Sequence, residues 1–576
     1  IAGDVELTPP VVIGANSRIE SGAVIDRFSV IGNSVTIKKG ATISHSVIWD
    51  CATIGESAKI NSAVIGSRVV VGKEANVLEN ALISDDSEIG ERAVIRPGIK
   101  IWPERRIEPY SIVNTNIRGG SVWKKNIFTE QGVVGIPNVV ITTTFATSLG
   151  AALGTFLGSG SSVVVGRDYY AASRMIKRAF SAGLQSVGTK VYNLRGIPVP
   201  VVQHMIVEHN ASGGAYTTFD PLSSEMTIRF FDSNGIDISP SASREIEEII
   251  FKESYKMADI ENIGSIVYPT TAPVVYLNRI LSRVDAQMIR KHEYKVIVDF
   301  NLGATSNIVS SILSQVNAEL FSLNMPYSYD EAPPSRKKTT LSDLIRNMQS
   351  ISGDLGVIYS VDGESISLVD ERGVQIYGDQ LLMLSAKIAL ENGAKGLCIP
   401  VSATAGVEEL AGQYNARVIR VPLGRRYLEA PVLEGKADFA GNEMGSFAFA
   451  KFGPFLDGIA SSVLILDYMA RTGEKISALQ RDLPSFYQQK ERIECPIEYR
   501  GAVMRKLLDR IEEKKIDIID GIKIYRNDGW LLIIPSKSDA SFEIYAESKK
   551  KEVIDSLLNE YLDILKETIY KIEMET

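Results

Sequence analysis

Residue types able to do chemistry are thinly spread along the 576-residue chain, and most sit in turns. Cys51, Cys398 and Cys495 are the three cysteines, far apart and without CxxC spacing. That pattern supplies neither a zinc site nor a disulfide framework, and it fits a reducing cytoplasm. His45, in ISHSVIWD, has the type of an acyl-transfer base, but its polar neighbours give it equally the character of a surface histidine. Asp362 and Glu364 stand together in VDGESIS, a pair that can hold Mg²⁺ or simply face solvent in a turn. Arg425 and Arg426 in LGRRYLE, and Ser536, Lys537 and Ser538 in IPSKSDAS, offer anion contacts or solvated turns.

The elements that carry these residues are of two kinds. Up to about residue 120 an aliphatic residue recurs every six positions, often followed by glycine, as in Ile13-Gly14, Ile31-Gly32, Ile54-Gly55 and Ile89-Gly90. A hexapeptide period marks a parallel β-helix, here left-handed, with roughly five coils expected. In this reading each strand sends one aliphatic side chain inward, and glycine frees the backbone at the corner. From about Val122 onward, apolar strand runs alternate with amphipathic helices, as in SSVVVGRDYYAASRMIKRAFSAGLQSVGTKVYNL, and the order recurs twice more. The tail changes character, with a hairpin around Asn527-Asp528-Gly529, a further strand, and a long helix from about Lys549 to Ile572. The division expected is a β-helix at 1–120, three similar α/β domains at 121–265, 266–371 and 372–490, and a smaller α+β domain at 491–576.

A net charge of −8 gives no electrostatic case for nucleic acid or an anionic membrane surface. No apolar run approaches the roughly 20 residues of a membrane span. The chain starts at Ile1, partway into a Gly/Pro-punctuated stretch, which leads to the expectation of an upstream domain.

VVVGRD, GIPVPVVQHMIVEHNASGGA, RFFDSNGIDISPSASREIEEII, DLGVIYSVDGESISLVDERG and DGIKIYRNDGWLLIIPS occur in the order and spacing of the phosphoglucomutase/phosphomannomutase family, which the body resembles. The hexapeptide segment resembles the β-helix that follows the catalytic domain of sugar-1-phosphate nucleotidyltransferases, above all those of mannose-1-phosphate guanylyltransferase type. The resemblance as a whole is to bacterial proteins that fuse a guanylyltransferase, a β-helix and a mutase body. It implies a mutase cleft, a phosphoserine, a bound Mg²⁺ and a hexose phosphate, with a nucleotidyltransferase domain upstream.

Measured against the family's loops, this chain departs at each. The phosphoserine loop, normally TASHNP, faces AYTTFDPLSSEMTIRFF. Counting back without gaps from Phe230-Phe231 puts Phe219 at the serine; counting forward from Gly213-Gly214 puts Asp220 there. Only an alignment pinned on Pro221 brings a hydroxyl, that of Thr218. The metal loop DGDADR becomes Asp362-Gly363-Glu364-Ser365-Ile366-Ser367, and the sugar loop GExSGH becomes Gly441-Asn442-Glu443-Met444-Gly445-Ser446. In the phosphate loop RPSGTEP the arginine is Ile534, and the arginine expected further on is Glu543. Arg167, Arg425, Arg426 and Lys537 survive as anion contacts, with Asn442, Glu443, Ser536 and Ser538 as polar ones.

Loss of one member of a catalytic unit commonly costs about 10⁴–10⁶ in rate. The expectation is therefore a non-catalytic body serving regulation or assembly of a nucleotide-sugar enzyme, binding a hexose phosphate or nucleotide sugar and self-associating through the β-helix. The alternative is an active mutase with an atypical site built on Thr218 and needing Mg²⁺.

Overall fold

The computed structural model describes the chain except residues 114–115, 118–126, 327–339, 497–498, 512–514, 527, 537–539 and 576. It comprises two compact units, Ile1–Ile127 with Gly135–Val140, and Phe128–Val134 with Ile141–Thr576.

In the first unit, short parallel strands stack into three sheets of seven, six and six strands, one coil more than the length alone suggests. Registered ladders explain the period. Ile25, Ile43, Ile60, Val77, Ile95 and Val113 pair in sequence along one sheet, each buried in the coil. Ala23, Ala41, Ala58, Ala75 and Ala93 fill the narrower space beside them. On the outside of a second sheet, Val12, Val30, Val47, Val64 and Leu82 form an aliphatic row that ends at Lys100.

The glycines play a different part from the one expected. Gly55 does not have positive φ; the left-handed corner falls two residues later, at Ser57 with φ 54°. What excludes a side chain at Gly55 is the next coil, because a Cβ there would lie 2.5 Å from the carbonyl carbon of Gly72. Gly55→Ala should therefore destabilise the chain by about 1–3 kcal/mol, as overpacking does. Ser57→Gly should cost nothing, since glycine suits left-handed backbone. Chemical denaturation of the two variants distinguishes close approach from backbone freedom. His45 occupies another such corner, with φ 49°; it is exposed, with its ring 5.9 Å from that of Phe28.

The second unit holds four sheets. The first three repeat one plan: three parallel strands, then an antiparallel strand joined to the third by a hairpin. In the first these are Lys190–Gly196, Ser162–Arg167, Gly213–Asp220 and Glu225–Phe231. In the second they are Glu319–Leu323, Lys295–Asp299, Leu355–Tyr359 and Ile366–Val369. In the third they are Arg417–Val421, Gly396–Pro400, Phe439–Gly441 and Phe447–Phe449. A continuous apolar core links them. The fourth sheet is antiparallel, with the helix Lys551–Glu575 against it. Its hairpin joins Ile522–Arg526 to Gly529–Pro535, while Asn527 lies outside the described residues. Val199 and Pro200 open a helix, Val199–Glu208, in which proline suits the first turn because it has no N–H to satisfy.

Candidate functional site

The repeated plan brings three hairpin turns to equivalent places, each at the C-terminal end of a third parallel strand, the edge where open α/β sheets bind ligands. They are residues 221–224, 360–365 and 442–446. The middle one is held from both sides. Val199 donates its N–H to the Asp362 carbonyl at 2.9 Å, and Ile366 donates its N–H to the Gly445 carbonyl at 3.0 Å.

The first hairpin pairs without a bulge from Gly214 opposite Phe231 to Asp220 opposite Glu225. The Phe219 ring packs edge-on against Tyr170 at 5.4 Å. Thr218 donates its hydroxyl to an Asp168 carboxylate oxygen at 3.0 Å, and the Phe219 N–H donates to the same oxygen at 2.6 Å. The other oxygen of Asp168 accepts the Tyr170 N–H at 2.9 Å. Arg167 is buried and donates to the Asp168 carbonyl.

Burial pushes the Asp168 carboxyl up to about 6, against the pull of those donors. A carboxyl whose folded value is raised contributes stability that is complete below its unfolded value near 4 and lost as pH rises through 6. Asp168 should account for a fall of roughly 2–3 kcal/mol across that window, at 1.36 kcal/mol per unit. Asp168→Asn should start from lower stability and lack that slope, which urea denaturation at pH 4.5, 5.5 and 7 measures.

The second hairpin is dominated by charge. Glu364 is 2% exposed and receives two guanidiniums on one oxygen, Arg229 at 2.6 Å and Arg425 at 3.1 Å. Arg229 comes from the first sheet and Arg425 from the helix Arg425–Leu433, which connects two strands of the third, so one carboxylate ties three domains together. Arg229 also meets Asp237 at 2.9 Å, and Arg426 pairs with Asp232 at 3.0 Å and donates to the Asp237 carbonyl. Burial opposes ionisation of Asp362, but Arg425, the Ser360 hydroxyl and Arg229 outweigh it and hold this carboxyl below its ordinary value. Burial pushes Glu364 up to about 7 against both arginines. Glu429, buried beside them, is pushed well above the carboxylate range by burial and by Asp237 and Glu364. It accepts from the Gln203 amide at 3.1 Å and the Leu456 N–H at 3.3 Å.

The oxygens of this donor set are largely engaged within the protein. The Asp362 oxygen nearest the turn accepts the Ser360 hydroxyl and the Glu364 N–H, the Glu364 oxygen is shared by two arginines, and the third position is buried Ile366. The positive charge a metal would bring is already present as guanidinium. Sequence reasoning missed Arg229 and Glu429. The available signal was a lone arginine inside the apolar strand EMTIRFF and a lone glutamate on a buried helix face, since charges are rarely fully buried unpaired.

In the third hairpin, the Asn442 side-chain amide oxygen accepts the Met444 N–H at 3.0 Å and the Ser446 N–H at 3.2 Å, so it shapes the turn. Glu443 accepts the Ser402 hydroxyl at 3.1 Å, and Met444 is 74% exposed. In the fourth domain, buried Ser536 closes a turn through its N–H to the Ser541 carbonyl at 2.8 Å, and its own carbonyl accepts from Arg500. Glu543, in place of an arginine, pairs with Lys490 at 3.0 Å. Lys537 and Ser538 lie outside the described residues. The structure thus gathers Asp362, Glu364, Arg425 and Arg426 with Arg229, and both helix arginines are paired with carboxylates.

Family models match the chain over most of its length. Phosphoglucomutase/phosphomannomutase alpha/beta/alpha domains I, II and III match residues 125–257, 274–373 and 377–487. A phosphoglucomutase/phosphomannomutase of Thermococcus kodakarensis is 30% identical over 458 residues, covering 77% of this chain and 99% of that protein. The chain belongs to the phosphoglucomutase/phosphomannomutase family. A phosphoglucosamine/phosphogalactosamine mutase of Sulfurisphaera tokodaii is 27% identical over 451 residues, covering 76% of this chain and 99% of that protein. The crystal structure of a phosphoglucomutase/phosphomannomutase family protein from Burkholderia thailandensis superposes with a TM-score of 0.67 at 19% identity, covering 77% of this chain and 97% of that one. Residues 1–95 match the EIF2B subunit epsilon LbH domain model, in agreement with the left-handed β-helix. No described helix is long and apolar enough to cross a membrane.

Proposed function

We propose that this phosphohexomutase-family chain binds a hexose phosphate, or a nucleotide sugar carrying one, in the cleft among its three hairpins without transferring the phosphoryl group. The observation that carries this reading is the Glu364 carboxylate bridged by Arg229 and Arg425. A site that holds its own positive charge has no call on a metal, and Arg425, with a third of its side chain exposed, can exchange Glu364 for a phosphate. Its place in the first turn of Arg425–Leu433 adds the positive end of a helix dipole. Binding would report on sugar-phosphate supply to a partner enzyme, in this reading a nucleotidyltransferase of guanylyltransferase type. The outer aliphatic row of the β-helix supports a role in self-association.

Mannose-1-phosphate, glucose-1-phosphate and glucosamine-1-phosphate at 100 times their dissociation constants should each stabilise a binding-competent chain by about 2.7 kcal/mol. Arg425→Gln should remove most of that gain, measured as the rise in Tm. No rise with any of the three, or with GDP-mannose, refutes ligand binding and leaves a purely structural role.

A second reading, an active mutase carrying phosphate on Thr218, is favoured by one contact. Asp168, with its carboxyl near 6, accepts the Thr218 hydroxyl and has the position of a base.

A further inference from the structure

A cavity of about 150 Å³ lies between the third and fourth domains, beside the third hairpin. Asp379 and Met383 line it from the helix Gly378–Glu391, Gln480 to Gln488 from the connecting segment, and Glu547 from the strand Ser541–Ser548. Glu547 is 1% exposed. One of its oxygens accepts the Ala405 N–H and the Trp530 indole N–H, both at 2.8 Å; the other, equally buried, has no partner. Across the cavity, the Gln480 amide nitrogen is buried and unpartnered too. Glu443 stands close enough to Asp379 for their charges to interact, and one of its oxygens is also buried without a partner.

Among the described residues no cation lines this space. Lys549, 5.1 Å over the ring of the lining residue Phe486, pairs with Glu409 at 2.7 Å; Arg420 pairs with Glu408 at 2.7 Å, and Lys523 donates to the Val401 carbonyl at 2.7 Å over the Trp530 ring. Burial first, then Glu443 and Glu547, push Asp379 up to about 7 against the Thr404 N–H, which it accepts at 3.3 Å, and Arg420. Among the described residues no three acids, histidines or cysteines are arranged to hold a metal. The remaining walls, Met383, Leu483, Pro484 and Phe486, are apolar.

We infer that this cavity is a binding site for a small organic ammonium ion, whose N–H groups meet Asp379 and Glu547 while its carbon stem lies along Met383, Leu483 and Phe486. A polar far end would accept from Gln480. A cavity of comparable volume accommodates a ligand of about six heavy atoms, as benzene does in an apolar one. The site is distinct from the phosphate loop. Glu547 and Ser541 stand at opposite ends of one strand, about 20 Å apart at roughly 3.3 Å per residue. Because its walls come from both domains and their connection, an occupant fixes the fourth domain against the third.

The test uses the full chain and 4-amino-1-butanol at pH 7, where the amine is protonated, against the neutral isostere 1,4-butanediol and equimolar KCl. A saturable rise in Tm with the amine alone is expected, with apparent affinity weaker by about tenfold or more in Glu547→Gln. Because Glu547 also holds Ala405 and Trp530, Met383→Trp, which fills the cavity from its apolar wall, provides a second variant and should abolish the response. No response to the amine, an equal response to the diol or the salt, or an undiminished response in Met383→Trp overturns the assignment.

Discussion

Arg229→Met should destabilise the chain by about 3–5 kcal/mol, the usual cost of stripping one partner from a buried ion pair. Arg229 is 4% exposed, and its guanidinium lies 2.6 Å from Glu364 and 2.9 Å from Asp237. Methionine preserves much of the packing over Phe231 but leaves a carboxylate with 2% exposure facing one arginine instead of two. Replacing both partners by apolar groups is often neutral, so Arg229→Met/Glu364→Leu should recover most of the loss. Asp237, with 18% of its side chain exposed, can turn to water. Urea denaturation of the four proteins gives the coupling energy, expected above about 2 kcal/mol. A single-mutant cost under about 1 kcal/mol would mean that the three-domain junction is held by packing alone, and that the guanidiniums are not standing where a metal's charge is needed.

The repeat architecture was legible in the sequence because its causes are local. A short strand that buries one side chain, as Thr42–Ser44 buries Ile43 and Lys59–Asn61 buries Ile60, must repeat that residue type at a fixed spacing. Likewise, the three α/β repeats show as apolar runs of strand length between amphipathic helices. What the sequence withheld was pairing. Arg425 and Arg426 have the residue types of free anion contacts, yet each meets a carboxylate contributed by a different sheet, Glu364 and Asp232, distant in sequence. Nothing local to LGRRYLE encodes those partners. The glycine reading failed similarly, since the atom that forbids a Cβ at Gly55 belongs to Gly72, in the next coil.

Phosphoryl transfer should be slower than in a family member with intact loops by at least about 10⁴, the cost of losing one member of a catalytic unit. A carrier hydroxyl must reach the substrate, but that of Thr218 is turned onto Asp168 at 3.0 Å, and its neighbour is an aromatic ring packed on Tyr170. Charge building on the transferred group must be met by a cation free to approach it, whereas Arg229 is sealed between Glu364 and Asp237. The loop that would grip the second phosphate has Glu543, paired with Lys490, where the pattern has an arginine. Positioning and electrostatics supply nearly all of phosphoryl-transfer catalysis, so these losses compound. The measurement is a coupled assay with mannose-1-phosphate and glucose-1-phosphate, with and without Mg²⁺ and glucose-1,6-bisphosphate, together with intact-protein mass spectrometry. No turnover above the blank and no added phosphate are expected. Turnover that survives in Thr218→Ala would place the carrier elsewhere; turnover lost in that variant, with one phosphate mapped to Thr218, would establish the active-mutase reading and make Asp168 its base.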